Sequence, residues 1–193
     1  AILSGLVGSE MCIRDRAILS PINDPPAEAV GIDGIEKIIK EESLIRACED
    51  GHDKVARWNM MMASTEGAMA FSKGLGAVHS MSHALGANQE LRLHHGTLNA
   101  VILPSVLRFN QNHVENKYTR IARAMGNKVT TDLANEIEKL NEKIGMPASL
   151  SEMGVTEDMI PQLVAHAATD PSNLTTPRLP SIEEWEKLFL EAM

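Results

Sequence analysis

From Pro21 onward, apolar residues recur at the three-to-four-residue spacing of an α-helix and almost never at the alternation of a strand. Leu133, Ile137, Leu140 and Ile144 form the cleanest stripe, closed by Gly145 and Pro147. Glycine tolerates the left-handed backbone that ends a helix, and proline cannot continue one. Asn23-Asp24-Pro25 supplies a cap and a first-turn proline ahead of Ala27, Val30, Ile35, Ile38 and Ile39. Ser43 is expected to cap a short helix that Gly51 ends. Residues 53–73 predict a longer helix, with Val55, Trp58, Met61, Met62, Ala68 and Phe71 spread widely enough to imply burial on several sides. Asn112 with Glu115 has capping-box spacing before Val114, Tyr118, Ile121, Ala122, Met125 and Gly126. Ser181 with Glu184 opens a last helix whose expected inner face is Ile182, Trp185, Leu188 and Phe189. Val101-Ile102-Leu103 is the one β-like run; Pro104 follows it and its surroundings are helical. Residues 170–180, with three prolines, are expected to form a loop. The expectation is an all-α fold, helical over residues 22–192 with no sheet.

The 193 residues are 44% apolar and 23% charged, in the range of a globular chain with a real core. A net charge of −8 argues against a nucleic-acid partner or an anionic membrane surface. No apolar run reaches the roughly 18 residues of a membrane span. Two cysteines, Cys12 and Cys48, make no disulfide framework, so a reducing, cytoplasmic setting is expected.

The first residues have a different character. Ala1-Ile2-Leu3-Ser4 recurs verbatim as Ala17-Ile18-Leu19-Ser20. Between the copies, Val7 to Arg16 resembles the translation of a sequencing adapter, while Glu10, Arg14 and Asp15 interrupt any signal-peptide core. Residues 1–16 are therefore expected to be non-native, with the helical domain occupying 17–193.

Four of the seven histidines fall within residues 79–95. His79 and His83, four apart, share one face of a helix, and His95 follows in Leu93-His94-His95-Gly96-Thr97. Neutral imidazole suits zinc and iron(II) alike, and a helix–turn–helix could bring His79 and His95 to one ion, with His83 beside them. The same spacing also occurs on solvated or core-satisfied faces. The pair is not the H-E-x-x-H of zinc peptidases, because Ser80 follows His79. Two histidines fall short of the three protein ligands of a catalytic zinc. Glu90, the nearest acid, stands beside Leu91-Arg92 as an expected surface charge.

Gly74-Leu-Gly-x-x-His79-x-x-x-His83-x-Leu-Gly86, then His95-Gly96-x-x-Asn99-Ala100-x-x-Leu103-Pro104, resembles the iron-containing (group III) alcohol dehydrogenase family. Leu19 to Ala27 and Ala63 to Phe71 resemble its flanking segments in the same order. The resemblance implies the family's C-terminal helical domain, of dehydroquinate synthase-like architecture. In that family a divalent metal, usually Fe2+ and sometimes Zn2+, is held by an aspartate, a histidine four residues on, and two further histidines. The last two match His79 and His95. His94 is the fallback, since the family ligand directly precedes the glycine. His83 matches a histidine near the nicotinamide and substrate, which makes it the implied catalytic and cofactor-binding residue and a candidate proton relay. The metal polarises the alcohol oxygen and hydride passes to NAD or NADP.

The turn between His83 and His95 is about two residues longer than in common members, with Arg92 beside it. That leaves an alcohol, aldehyde or hydroxyacid as the implied small-molecule substrate. No glycine-rich strand–loop–helix element for a dinucleotide is present in this sequence. The expectation is a fragment, inactive alone, of an enzyme that works as a homo-oligomer. The alternatives are a non-enzymatic helical metal-binding or interaction module, or a zinc polyol dehydrogenase relative.

Overall fold

The computed structural model describes residues 20–40, 42–126 and 132–193, so the adapter-like segment 1–16 lies outside the described residues. Among these, every regular element is helical: α1 (Pro25–Ile35), a π-turn (Glu36–Lys40), α2 (Ser43–Glu49), α3 (Lys54–Met69), a 3-10 turn (Ala70–Lys73), α4 (Ala77–Gly86), α5 (His95–Asn110), α6 (Glu115–Ala124), α7 (Leu133–Lys143), α8 (Ile160–Thr169), a 3-10 turn (Pro171–Thr175) and α9 (Ile182–Ala192). The all-α expectation holds, and Val101-Ile102-Leu103 lies inside α5.

α5 is the axis of the domain, packing against α4, α7 and α9. Leu98, Ile102, Leu103 and Val106 on it are wholly buried, which suits a helix apolar on all sides. Pro104 sits inside this helix. α8 and α9 pack together, and Trp185 and Phe189 of α9 are fully enclosed. The expected caps at both ends of the chain form. Asp24 accepts the Ala27 amide, and Ser181 with Glu184 makes a complete capping box.

Five expectations are corrected. Ser43 is not a cap: it lies inside α2 because its hydroxyl accepts a buried hydrogen bond from Asn59 Nδ2 at 2.9 Å, and Glu42, at φ 54°, takes the capping position. α2 ends at Glu49, before Gly51. Asn112 lies in a 3-10 turn (Gln111–His113), which moves the start of α6 so that Val114 is its N-cap with no side-chain bond. α3 is not buried on several sides. Its inner face is Ala56, Asn59, Met60, Ala63, Glu66 and Gly67, while Val55, Trp58, Met61 and Phe71 of the following turn are more than half exposed. α3 packs on α1, whose Gly31 and Gly34 are buried. Small residues there permit close backbone approach, so the bulky apolar stripe is left outward. Ile182 is likewise exposed, lying in the first turn of α9; Trp185, Leu188, Phe189 and Ala192 form the inner face.

A polar network ties the start of the chain to the turn before the histidines. Lys73, fully buried, donates to Glu28 and to the Ile22 carbonyl, each at 2.6 Å. Arg120 pairs with the second Glu28 oxygen. Burial would raise the Glu28 carboxyl, but the hydrogen bonds from Lys73 and Arg120 outweigh it and hold the group below the usual carboxylate range.

Candidate metal and alcohol site

α4 begins directly after Gly74-Leu75-Gly76, and α5 after the turn Ala87–His94. This helix–turn–helix brings three imidazoles together. The ring centroids of His79 and His95 are 5.3 Å apart, His83 and His95 5.6 Å, and His79 and His83 5.9 Å. His79 is buried, His83 is half-buried and His95 is exposed. His94, the fallback, is the N-cap of α5, where its side chain accepts the Thr97 amide.

The hydrogen bonds around His95 define a tautomer. Ser82 Oγ donates to the His79 carbonyl at 3.1 Å, so its oxygen accepts from His95 Nδ1–H at 3.3 Å. Nε2 then carries the lone pair and accepts from Asn99 Nδ2 at 3.1 Å. A ligating histidine is held in just this way, with one nitrogen donating to a protein oxygen and the other available to the ion. A metal on His95 Nε2 would displace the Asn99 amide.

His83 Nδ1 lies 3.0 Å from Asp170 Oδ2, from the turn between α8 and α9. Asp170 is the N-cap of the Pro171–Thr175 turn, its Oδ1 accepting the Ser172 amide at 2.8 Å. Burial would raise this carboxyl, but hydrogen bonds from Ser172 and His83 prevail and hold it below the usual range. The turn is fastened twice more: Ser80 Oγ on α4 donates to Asn173 Oδ1 at 2.7 Å, and Thr175 Oγ1 donates to the carbonyl of Leu75, just ahead of α4. Sequence reasoning missed Asp170 and assigned residues 170–180 to a loop. Asp-Pro-Ser is nonetheless a cap followed by a first-turn proline, and that signal was present.

His83, Asp170, Phe71, Leu75 and Leu174 line a cleft of about 420 Å³. Phe71 and Leu174 stand 51% and 87% exposed at its rim. A larger cleft of about 560 Å³ between α5, α7 and α9 shares no residue with it and carries no histidine. Among the described residues, no three His, Cys, Asp or Glu side chains are arranged to hold a metal ion by themselves. His79 and His95 are imidazoles, the donor type a zinc or iron(II) ion takes, and two are fewer than its shell needs.

The sequence profile of the Fe-containing alcohol dehydrogenase family, C-terminal, matches residues 17–193. The chain is 40% identical over 197 aligned residues to the 4-hydroxybutyrate dehydrogenase of Cupriavidus necator, covering 98% of this chain and 50% of that protein. It is 34% identical to the 1,3-propanediol dehydrogenase of Citrobacter freundii, over 92% of this chain and 47% of that one. The crystal structure of a 1,3-propanediol oxidoreductase superposes with a TM-score of 0.88 at 30% identity, covering 95% of this chain and 50% of that chain. The chain thus spans about half the length of the curated relatives it matches. With its all-helical fold, its profile match and its identity to these dehydrogenases, the chain belongs to the Fe-containing alcohol dehydrogenase family, of which it carries the C-terminal domain.

Proposed function

We propose that this chain is the metal-binding half of an NAD(P)-dependent alcohol dehydrogenase, with His79 and His95 as metal ligands and His83 as the catalytic residue beside the substrate. The observation that carries the reading is the convergence of three imidazoles from two helices within 6 Å of one another. The ion, Fe2+ or Zn2+, supplies Lewis-acid polarisation of the alcohol oxygen. His79, buried on α4, and His95, oriented by Ser82, would be two of the residues that hold it. The cleft places Leu75 and Phe71 beside His83, where the carbon chain of an alcohol would lie. The hydroxyl proton passes from oxygen to His83 while hydride leaves the carbon bearing that oxygen for the nicotinamide, so the alcohol loses two electrons and two hydrogens and the nucleotide gains the hydride. The identity to a 4-hydroxybutyrate dehydrogenase supports a hydroxyacid among the alcohols accepted. The cytoplasm and a homo-oligomeric whole enzyme accord with this reading, and no described helix is long and apolar enough to cross a membrane.

Alone, the chain is inactive in this account. Positioning of reactants accounts for roughly 7–11 kcal/mol of barrier lowering, and among the described residues there is no strand–loop–helix element to aim the nicotinamide. The test is alcohol-dependent NAD(P) reduction by the purified chain loaded with Fe2+ or Zn2+, and by the chain joined to the nucleotide-binding half of a relative. Activity is expected in the joined protein alone, and is expected to disappear in its His79→Ala and His95→Ala variants. Chelator-sensitive turnover by the isolated chain would overturn the inactivity, and full activity of the joined His79→Ala variant would overturn the site.

A further inference from the structure

The partner of His83 is an acid 87 positions further along the chain, at the start of the turn that lines one side of the cleft. Asp170 is well enclosed, its side chain 9% exposed. Its two oxygens are divided between two tasks: Oδ1 caps the Pro171–Thr175 turn through the Ser172 amide, and Oδ2 faces His83 Nδ1. The turn is fixed to α4 by the Ser80–Asn173 bond and to the segment ahead of it by the Thr175–Leu75 bond, so the carboxylate is held in place by the fold and does not follow the imidazole. An ionised carboxylate can accept and cannot donate. The hydrogen between Asp170 and His83 therefore belongs to Nδ1, and in the neutral ring the lone pair is on Nε2. Among the described residues Nε2 has no hydrogen-bond partner, and the ring borders the 420 Å³ cleft. In bulk water neutral imidazole favours the opposite arrangement, with hydrogen on Nε2, so the order seen here is one the protein imposes.

We propose that Asp170 is the positioning residue of this site: it fixes His83 as the Nδ1–H tautomer and so leaves Nε2 as the atom that accepts a proton from the substrate hydroxyl. Its place in the reaction rests on the function proposed above; its effect on His83 does not, and can be measured without metal, nucleotide or turnover. Asp170→Asn is the informative change. The asparagine Oδ1 still caps Ser172, because Asn and Asp are equivalent at an N-cap. Its amide then faces His83 Nδ1 and donates to it, which moves the ring hydrogen to Nε2. Asp170→Ser keeps a cap and does not reach His83, so the ring is released to its preference in water.

The experiment is long-range proton–nitrogen NMR of the full 193-residue chain, metal-free, at a pH where His83 is neutral. The wild-type chain is expected to show a pyrrole-type Nδ1 and a pyridine-type Nε2 at His83. The two are expected to exchange character in Asp170→Asn, and Asp170→Ser should give a majority of Nε2–H. A wild-type ring already Nε2–H, or one unchanged in both variants, overturns the assignment; should Asp170→Asn fail to fold, Asp170→Ser decides alone. A tautomer switch in a chain that takes up no zinc at His79 and His95 sustains Asp170 and overturns the metal-centre reading by itself.

Discussion

Gly74 is the residue on which the alignment of the histidine helix and the Asp170 turn depends, and Gly74→Ala tests it. At φ 79° and ψ −167° its backbone occupies a region that is essentially reserved for glycine. Forcing a side-chain-bearing residue there costs about 1–3 kcal/mol. A Cβ would also collide with the Thr175 side chain, whose hydroxyl donates to the Leu75 carbonyl. Losing that hydrogen bond costs about 0.5–1.5 kcal/mol. The two contributions together predict a loss of about 1.5–4.5 kcal/mol, read as the shift in the urea unfolding curve followed by circular dichroism. Thr175→Ala on the Gly74→Ala background removes the Oγ1 and Cγ2 contacts but leaves the Cβ at position 175, 2.8 Å away, and the backbone strain, so it should recover part of the loss and no more. Gly51→Ala is the control: nothing lies within 4 Å of its added Cβ, and its effect should be within about 0.5 kcal/mol. A Gly74→Ala loss below about 1 kcal/mol would refute the assignment of strain and contact to this glycine.

The buried Lys73–Glu28 pair predicts an asymmetry. Glu28→Ala strands a fully buried ammonium and should cost about 3 kcal/mol in the same assay, the lower end for such pairs because Glu28 keeps some solvent contact, whereas Lys73→Met should cost distinctly less. Glu28 and Asp170 both titrate lower folded than unfolded. Their stabilisation is therefore fully present above the unfolded carboxyl range, about pH 4, and is lost as the pH falls through the folded values. Urea midpoints should fall with acidification over that window, and less steeply in Asp170→Asn. Trp58, 63% exposed on α3, should be quenched readily by acrylamide and Trp185 hardly at all; equal quenching of single-tryptophan variants would contradict the orientation of α3.

Periodicity carried most of the fold because the helices that pack on α5 have apolar stripes and caps that agree. α7 and α9 show this, with Asp132 accepting the Asn135 amide and Ser181 boxed with Glu184. α3 misled because its packed face is built from alanine, glycine, asparagine and a glutamate, and helix contact there depends on smallness. Ser43 failed as a cap since a tertiary partner, Asn59, competes for its hydroxyl. Within the site, the spacing of His79 and His83 and the glycine after His95 were visible in the chain. Asp170 was not, because its meeting with His83 is made by the packing of α8 on α4 and by no local pattern.

The claim at the centre of this account is that His79 and His95 share one ion and that His94 does not take part. Calorimetric titration of the 193-residue chain with Zn2+ tests it directly, in the wild type and in His79→Ala, His95→Ala and His94→Ala. The account predicts one weak site per chain, since two imidazoles supply only part of a catalytic shell. Its affinity should fall with pH as protons compete for the rings, vanish in His79→Ala and His95→Ala, and persist unchanged in His94→Ala. Zinc uptake that survives loss of His79 or His95, or that disappears with His94, would contradict it.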